Sequence, residues 1–267
     1  MTSVSLPTSE AVERRARAWR YAGLAAACDV VEPWPHGTVL RATGYPDYYE
    51  HNVLLVDDDE ALTVAELIAV ADDRLAGLRH RRIEFAVAGA GDRLRAEFES
   101  LGWQAQRLAW LRHGGVWPAP PITPVDVQPV DYDDVHDLRL GWHQEESPDL
   151  EAVGYLSQGR EIALRRAARV FAVSDAGRLV GFVELVGAGD AAEVTSAYVL
   201  PDRRGRGLGS LLIRAAAQAA GDVRDLWICA DDEDRAKLLY ARLGFRPACA
   251  AIEFLRRPDG LGPPGSA

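Results

Sequence analysis

Val199-Leu-Pro-Asp-Arg-Arg-Gly-Arg-Gly-Leu-Gly-Ser210 decides how the rest of this 267-residue chain is read. A β-rich run ends at Pro201, glycines fall at alternate positions 205, 207 and 209, and an apolar stripe follows with Leu212, Ala215, Ala216 and Ala219 at i, i+3, i+4 and i+7. Alternate glycines let the backbone turn tightly with no Cβ in the way, so that successive N–H groups at a helix N-terminus face one anion. Arg203, Arg204 and Arg206 add positive charge. The spacing predicts a strand, a phosphate loop and a helix, with a pyrophosphate as guest. A Walker A loop needs Gly-Lys-Ser/Thr, which is absent, and the dinucleotide fingerprint fits imperfectly where Ser210 stands three after Gly207. The plain alternative is an ordinary arginine-rich strand-to-helix turn.

Working outward, VDVQPV (125–130) reads as an opening strand, DDVHDLRLGWHQ as a helix, and the stretch after Pro148 as helix up to Ala168. RVFAVSDAGRLVGFVELV holds two strands joined by a hairpin at Asp175-Ala-Gly-Arg178, and EVTSAYVL (193–200) is the strand that enters the loop. After the loop helix come a strand DLWICA, a helix EDRAKLLYARLG closed by Gly244, and FRPACAAIEFLRR, which is expected to complete the same sheet. Strands followed by alternating β and α segments predict an α/β (α+β) sheet flanked by helices.

The same order occurs twice. RIEFAVAGAGDRLRAEFESLGW from Arg82 aligns without gaps on RDLWICADDEDRAKLLYARLGF from Arg224, with identities at Arg82/Arg224, Asp92/Asp234, Arg93/Arg235, Leu101/Leu243 and Gly102/Gly244. Aromatics also coincide, Phe98 with Tyr240 and Trp103 with Phe245. Between the copies, His113-Gly-Gly-Val-Trp-Pro-Ala-Pro-Pro-Ile-Thr-Pro124 carries four prolines and two glycines and reads as a linker. The expected division is therefore a domain over 1–115, a Pro-rich linker over 116–124, a domain over 125–257, and a tail over 258–267.

Val199-x-Pro201-x-x-Arg204-Gly-x-Gly-x-Gly209 resembles the acyl-CoA loop of the GNAT N-acetyltransferase superfamily, and Ala236-x-x-Leu239-Tyr240-x-x-Leu243-Gly244-Phe245 is similar to that family's second signature. The resemblance covers residues 125 to 257. Together with the internal repeat, it implies two GNAT-like domains in tandem, each a mixed, mostly antiparallel sheet flanked by helices, the first a degenerate copy. It also implies that amides of Arg204, Gly205, Arg206, Gly207, Leu208, Gly209 and Ser210 hold the pyrophosphate of acetyl-CoA, while main-chain groups at Tyr198 and Val199 meet its pantetheine arm where strands splay. One departure is Glu233, where the family commonly has asparagine.

Amide formation from a thioester needs a neutral amine, a polarised carbonyl and a proton for the departing thiolate. By resemblance Tyr240 is the acid; read from its apolar helical stripe alone, it is equally a core residue. By resemblance to the histone-acetylating branch of the family, whose base glutamate stands at this spacing, Glu193, six residues before Val199, is the expected base, the alternative being a solvated carboxylate at a strand start. His143, Glu145 and Glu146 fall where the family builds its acceptor pocket. In the first copy, Val56-Asp-Asp-Asp-Glu-Ala-Leu-Thr-Val-Ala65 replaces the glycine loop and Phe98 replaces Tyr240, which predicts one acyl-CoA site per chain.

Composition is compatible with these expectations. Thirty basic and forty acidic residues give a net charge of −10, which disfavours nucleic acid and anionic lipid as partners. Cys28, Cys229 and Cys249 are odd in number and scattered, so neither a disulfide framework nor a metal site is expected. The first residues meet charges before any apolar run, and a cytoplasmic setting is expected. The function implied is N-acetyl transfer from acetyl-CoA to an amine of a small molecule or peptide, by a monomer or homodimer and without metal. A CoA-binding sensor without turnover is the runner-up.

Overall fold

The computed structural model describes residues 9–57, 62–119, 125–147, 152–233 and 235–258. In chain order the elements are α1 (Ser9–Ala25), β1 (Val30–Trp34), β2 (Gly37–Arg41), β3 (Val53–Val56), α2 (Val64–Arg74), β4 (Arg81–Phe85), the short helices α3 (Ala88–Asp92) and α4 (Arg95–Ser100), and β5 (Gln104–His113). There follow β6 (Val127–Val130), α5 (His136–Glu146), α6 (Ala152–Arg165), β7 (Arg169–Asp175), β8 (Arg178–Ala188), β9 (Ala191–Val199), α7 (Leu208–Ala220), β10 (Asp225–Asp231), α8 (Ala236–Arg242) and β11 (Phe245–Arg256). They sort into two compact units. The first takes the chain up to Leu111 together with 230–233 and 246–256; the second takes 112–229 and 235–245.

In the first unit the strands run in the order β1-β2-β3-β4-β11-β5. The pairs β1–β2, β2–β3 and β4–β11 are antiparallel, and β3–β4 is parallel. All four residues of β3 are buried because both faces are covered. Leu54 and Val56 join a core with Leu67, Phe85, Phe98 and Phe254, while Val53 and Leu55 meet Leu24 of α1. The helix α2 starts on a capping box in which Thr63 and Glu66 satisfy each other's backbone N–H. An ionic cluster, buried at Arg82, Glu84 and Glu253 and partly open to solvent at Glu50, ties the elements: Arg20 donates to Glu84 and, at 2.6 Å, to Glu50, and Arg82 bonds Glu84 and Glu253. Burial works against the charge of Glu50 and Glu84, but Arg20 overrides it and holds both carboxyls below their usual range.

In the second unit the order is β10-β9-β8-β7-β6, with β9–β10 parallel and the remaining pairs antiparallel. The β7–β8 hairpin turns on Ala176 and Gly177, both at positive φ, as a two-residue connection of this kind requires. α7 packs on β7, β8 and β9, and α5 on β8 and β9. Both units are thus mixed, mostly antiparallel sheets with helices packed on them, as the strand and helix order predicts. The two aligned stretches also show the same local sequence of strand, helix and left-handed glycine, Gly102 in one and Gly244 in the other.

Two expectations are modified. FRPACAAIEFLRR, as β11, pairs with β4 from Ile252 opposite Phe85 to Arg256 opposite Arg81, so it completes the first unit's sheet instead of the second's. Phe254, stacked on Phe98 at 4.1 Å, and Glu253, bound to Arg82, are what hold it there. The start of the expected linker is packed as well. His113 stacks on Trp117 at 4.0 Å, Arg214 lies over Trp117 and bonds the Pro118 carbonyl at 2.6 Å, and all belong to the second unit. Residues 120–124 and the tail beyond Pro258 lie outside the described residues.

His80 makes the first unit sensitive to acid. It is buried, stacks on Tyr49 at 3.9 Å, and burial pushes its imidazole down to about 4, with Arg82 and Arg81 adding to the shift. The folded state therefore holds it neutral while the unfolded chain takes up a proton near pH 6.5. Stability should be insensitive to His80 above pH 6.5 and fall between pH 6.5 and 4, by on the order of 3 kcal/mol from this group. Denaturant melts of the His80→Gln variant across that range should show a flatter acid limb than the parent.

Candidate active site

Strand β9 of the second unit has two ladders of unequal length. Against β8, β9 is paired from Ala191 opposite Ala188 to Val199 opposite Gly181. Against β10 it is paired only from Ala191 opposite Asp225 to Val194 opposite Ile228. The reason lies between Phe182/Tyr198 and Glu184/Thr195, where the register shifts and one residue of β8 faces two of β9. Ser196 takes up the extra length at φ +51. Such a bulge bends and twists its strand, which carries Thr195–Val199 off the parallel ladder. Backbone groups along that edge can pair with an extended, amide-bearing molecule.

The strand leads directly into the glycine loop. One 3₁₀ turn spans Pro201–Arg203, Gly205 stands at φ +77 and Gly207 at φ +80, and α7 begins at Leu208. Gly207 is the N-cap and supplies no side-chain cap to the first turn of a 13-residue helix. The result is a positive helix end with backbone donors, a ready anion site. A Cβ on Gly205 would meet nothing within 4 Å, so its role is conformational. Gly209 differs, since a Cβ there would lie 3.3 Å from Leu239 of α8 and the glycine serves close helix packing.

The loop arginines are spoken for in different degrees. Arg204 donates to the Val199 carbonyl at 2.9 Å and to Glu145 at 2.6 Å, and lies over the Tyr198 ring. Tyr198 donates its hydroxyl to the same Glu145, and burial together with that carboxylate pushes the phenol up. Arg204 thus braces the end of β9 against the end of α5 through its side chain, leaving only its backbone for an anion. Arg203 pairs with Asp175 at 3.2 Å, whereas Arg206 is 3.9 Å from Asp175 and 56% exposed, the most accessible of the three.

Glu193 is the third residue of β9 and not its first, because Ala191 and Ala192 already pair across the β8–β9 hairpin. It is buried, opposite Trp227, and 3.6 Å from Arg166, which replaces the solvated setting expected of a strand start. It sits one residue before the β10 ladder ends. Tyr240 is buried on α8 beside Phe245, next in sequence to the Leu239 that contacts Gly209. His143 is buried on α5 and stacks on Tyr155 at 4.7 Å. Glu233 is committed to an ion pair with Arg95 at 3.1 Å.

Arg139, Glu184 and Tyr132 escaped the sequence reading. Glu184, opposite Thr195 at the bulge, bonds Arg139 and the Ser196 side chain, and burial pushes its carboxyl up although Arg139 opposes this. Arg139 lies 4.6 Å over the ring of Tyr132, whose buried hydroxyl has no hydrogen-bond partner among the described residues. The available signal was Glu184 itself, a lone carboxylate inside the apolar strand VGFVELV. Among the described residues no group of His, Cys, Asp and Glu is arranged to hold a metal, and no helix is long and apolar enough to cross a membrane.

Residues 166–247 match the family model described as an acetyltransferase (GNAT) domain. Over 83 residues, 31% of this chain, it is 42% identical to a mycothiol acetyltransferase of Nocardia farcinica, and over 84 residues equally so to one of Clavibacter sepedonicus. The matched stretch spans 27% of the length of each relative. Among solved structures, a GCN5-related N-acetyltransferase from Kribbella flavida superimposes with a TM-score of 0.60 at 19% identity, covering 93% of this chain and 96% of that one. A conserved protein of unknown function from Staphylococcus epidermidis gives 0.67 at 14% identity, covering 86% and 94%. At these identities the structural likeness is one of fold.

The bulge cluster makes a stability prediction. Arg139→Met leaves the buried Glu184 carboxylate without its guanidinium and should cost about 3–5 kcal/mol, whereas Arg139→Met with Glu184→Leu should recover most of it. Denaturant titrations of the two variants, compared with the parent, check this.

Proposed function

We propose, from the match of residues 166–247 to the acetyltransferase (GNAT) domain model, that the second unit moves an acetyl group from acetyl-CoA to a primary amine of a small molecule or peptide in a direct ternary complex. The observation that carries this reading is the continuity of the unpaired β9 edge with the left-handed glycine loop and the uncapped end of α7. An extended amide-bearing arm ending in a pyrophosphate matches that sequence of backbone groups. The relatives' name, mycothiol acetyltransferase, favours acetyl as the group transferred.

Bound acetyl-CoA supplies an activated thioester carbonyl. Backbone groups at Tyr198 and Val199 align its arm, and the amides from Arg204 to Ser210 hold its phosphates, with Arg206 as the accessible side-chain charge. Glu193 takes a proton from the ammonium acceptor, directly or through water, so that the amine lone pair can form the C–N bond. As the C–S bond breaks, Tyr240 gives the sulfur its phenolic proton, the nitrogen sheds its second proton to solvent, and the phenol is restored from solvent. The first unit keeps the framework without this chemistry: Phe98, fully buried against Phe254 and Trp103, stands at the Tyr240 position.

Replacing Gly207 by Val forces a β-branched residue into φ +80 and should weaken acetyl-CoA binding strongly in calorimetry. The parent should titrate with one equivalent per chain; two equivalent sites would overturn the role given to the first unit. Tyr240→Phe should lower turnover by about 10² to 10⁴ with acetyl-CoA affinity little changed. Parent-like turnover with chemistry rate-limiting would return Tyr240 to the core. Glu193→Gln should remove the acidic limb of the pH–rate profile on an amine panel.

A further inference from the structure

A cavity of about 500 Å³ lies within the first unit, walled on one side by α1 and on the other by residues of β2, β3, β4, β5 and β11. That volume lies in the range of sites that enclose a small organic molecule. Its apolar lining includes Leu24, Leu55 and Ala251. Trp110 also lines it, 2% exposed, and its indole Nε1 is buried with no acceptor among the described residues. Its ring adds to the apolar wall.

The charges around the cavity favour a negative guest. Arg14 and Arg17, three residues apart on α1, both line it, and their carboxylate partners Glu10 and Glu13 stand 3.5 and 3.6 Å away in i,i+4 pairs. Such pairs are weak in water and yield to a better-placed anion. Of the lining carboxylates, Glu84 is already held by two bonds from Arg20, and burial pushes Asp57 up, against its own charge. Cys249 is no nucleophile here, since burial pushes its thiol up to about 11.

We propose that this cavity binds an amphiphilic organic anion: an apolar body against Leu24, Leu55, Ala251 and the Trp110 ring, and a carboxylate facing Arg14 and Arg17. N-acylated amino acids combine both features. The proposal needs nothing of the acetyl-transfer reading, and its test omits acetyl-CoA. N-decanoylglycine titrated calorimetrically into the full chain should bind at one saturable site. Its methyl ester, which lacks the charge, and the Arg17→Ala variant should each weaken binding at least tenfold. Ala18→Phe, which fills the cavity from the helix side, should abolish binding in a variant with the parent's circular dichroism and melting temperature. Absence of saturable binding, equal affinity for acid and ester, or unchanged affinity in folded Ala18→Phe would overturn the proposal.

Discussion

The end of the β9–β10 ladder at Val194 and Ile228 is the constraint on which the second unit's site depends. β9 has to stay attached to β8 on one edge while it leaves β10 on the other. The first demand is met by close approach at Gly181, where a Cβ would sit 2.8 Å from the Tyr198 carbonyl. The second is met by the bulge at Ser196, whose left-handed backbone costs free energy and needs support. That support is local: the Ser196 side chain bonds Glu184, which Arg139 in turn neutralises. Beyond the bulge, Arg204, Glu145 and Tyr198 lock the last residues of β9 to α5, so the strand enters the glycine loop from a fixed direction.

Features encoded by short-range physics were legible in the sequence. The hairpin at 175–178, the loop glycines, the helix over 208–220 and the left-handed Gly244 all follow from residues within a few positions of one another. Membership of a sheet was legible only up to partner choice. Residues 245–257 read as a strand, but their pairing with β4 depends on Phe98 and Arg82, far away in the chain, and no periodicity carries that information.

Site residues divide in the same way. The tight turn at Gly205 and Gly207 was readable because left-handed φ selects glycine. Side-chain roles were less so. Arg204 reads as an anion ligand next to glycines, yet its guanidinium turns to Val199 and Glu145, the latter contributed by a helix ending 58 positions earlier in the chain. Glu193 reads as a strand-opening carboxylate, yet two alanines precede it in the ladder and Arg166 faces it. In an arginine-rich chain each carboxylate has many conceivable partners, and only the three-dimensional register selects among them.

The placement of β11 governs the order in which the molecule can be built. Its pairing with β4 joins residues 171 positions apart at Arg82 and Glu253, so the first half of the chain leaves the ribosome with an open sheet edge. Until the final strand emerges, β4 exposes unpaired backbone donors and acceptors, and Arg82 lacks one of its two carboxylate partners. The earlier-made half is then the later one to finish, and a nascent chain must protect that edge through the synthesis of the entire second sheet.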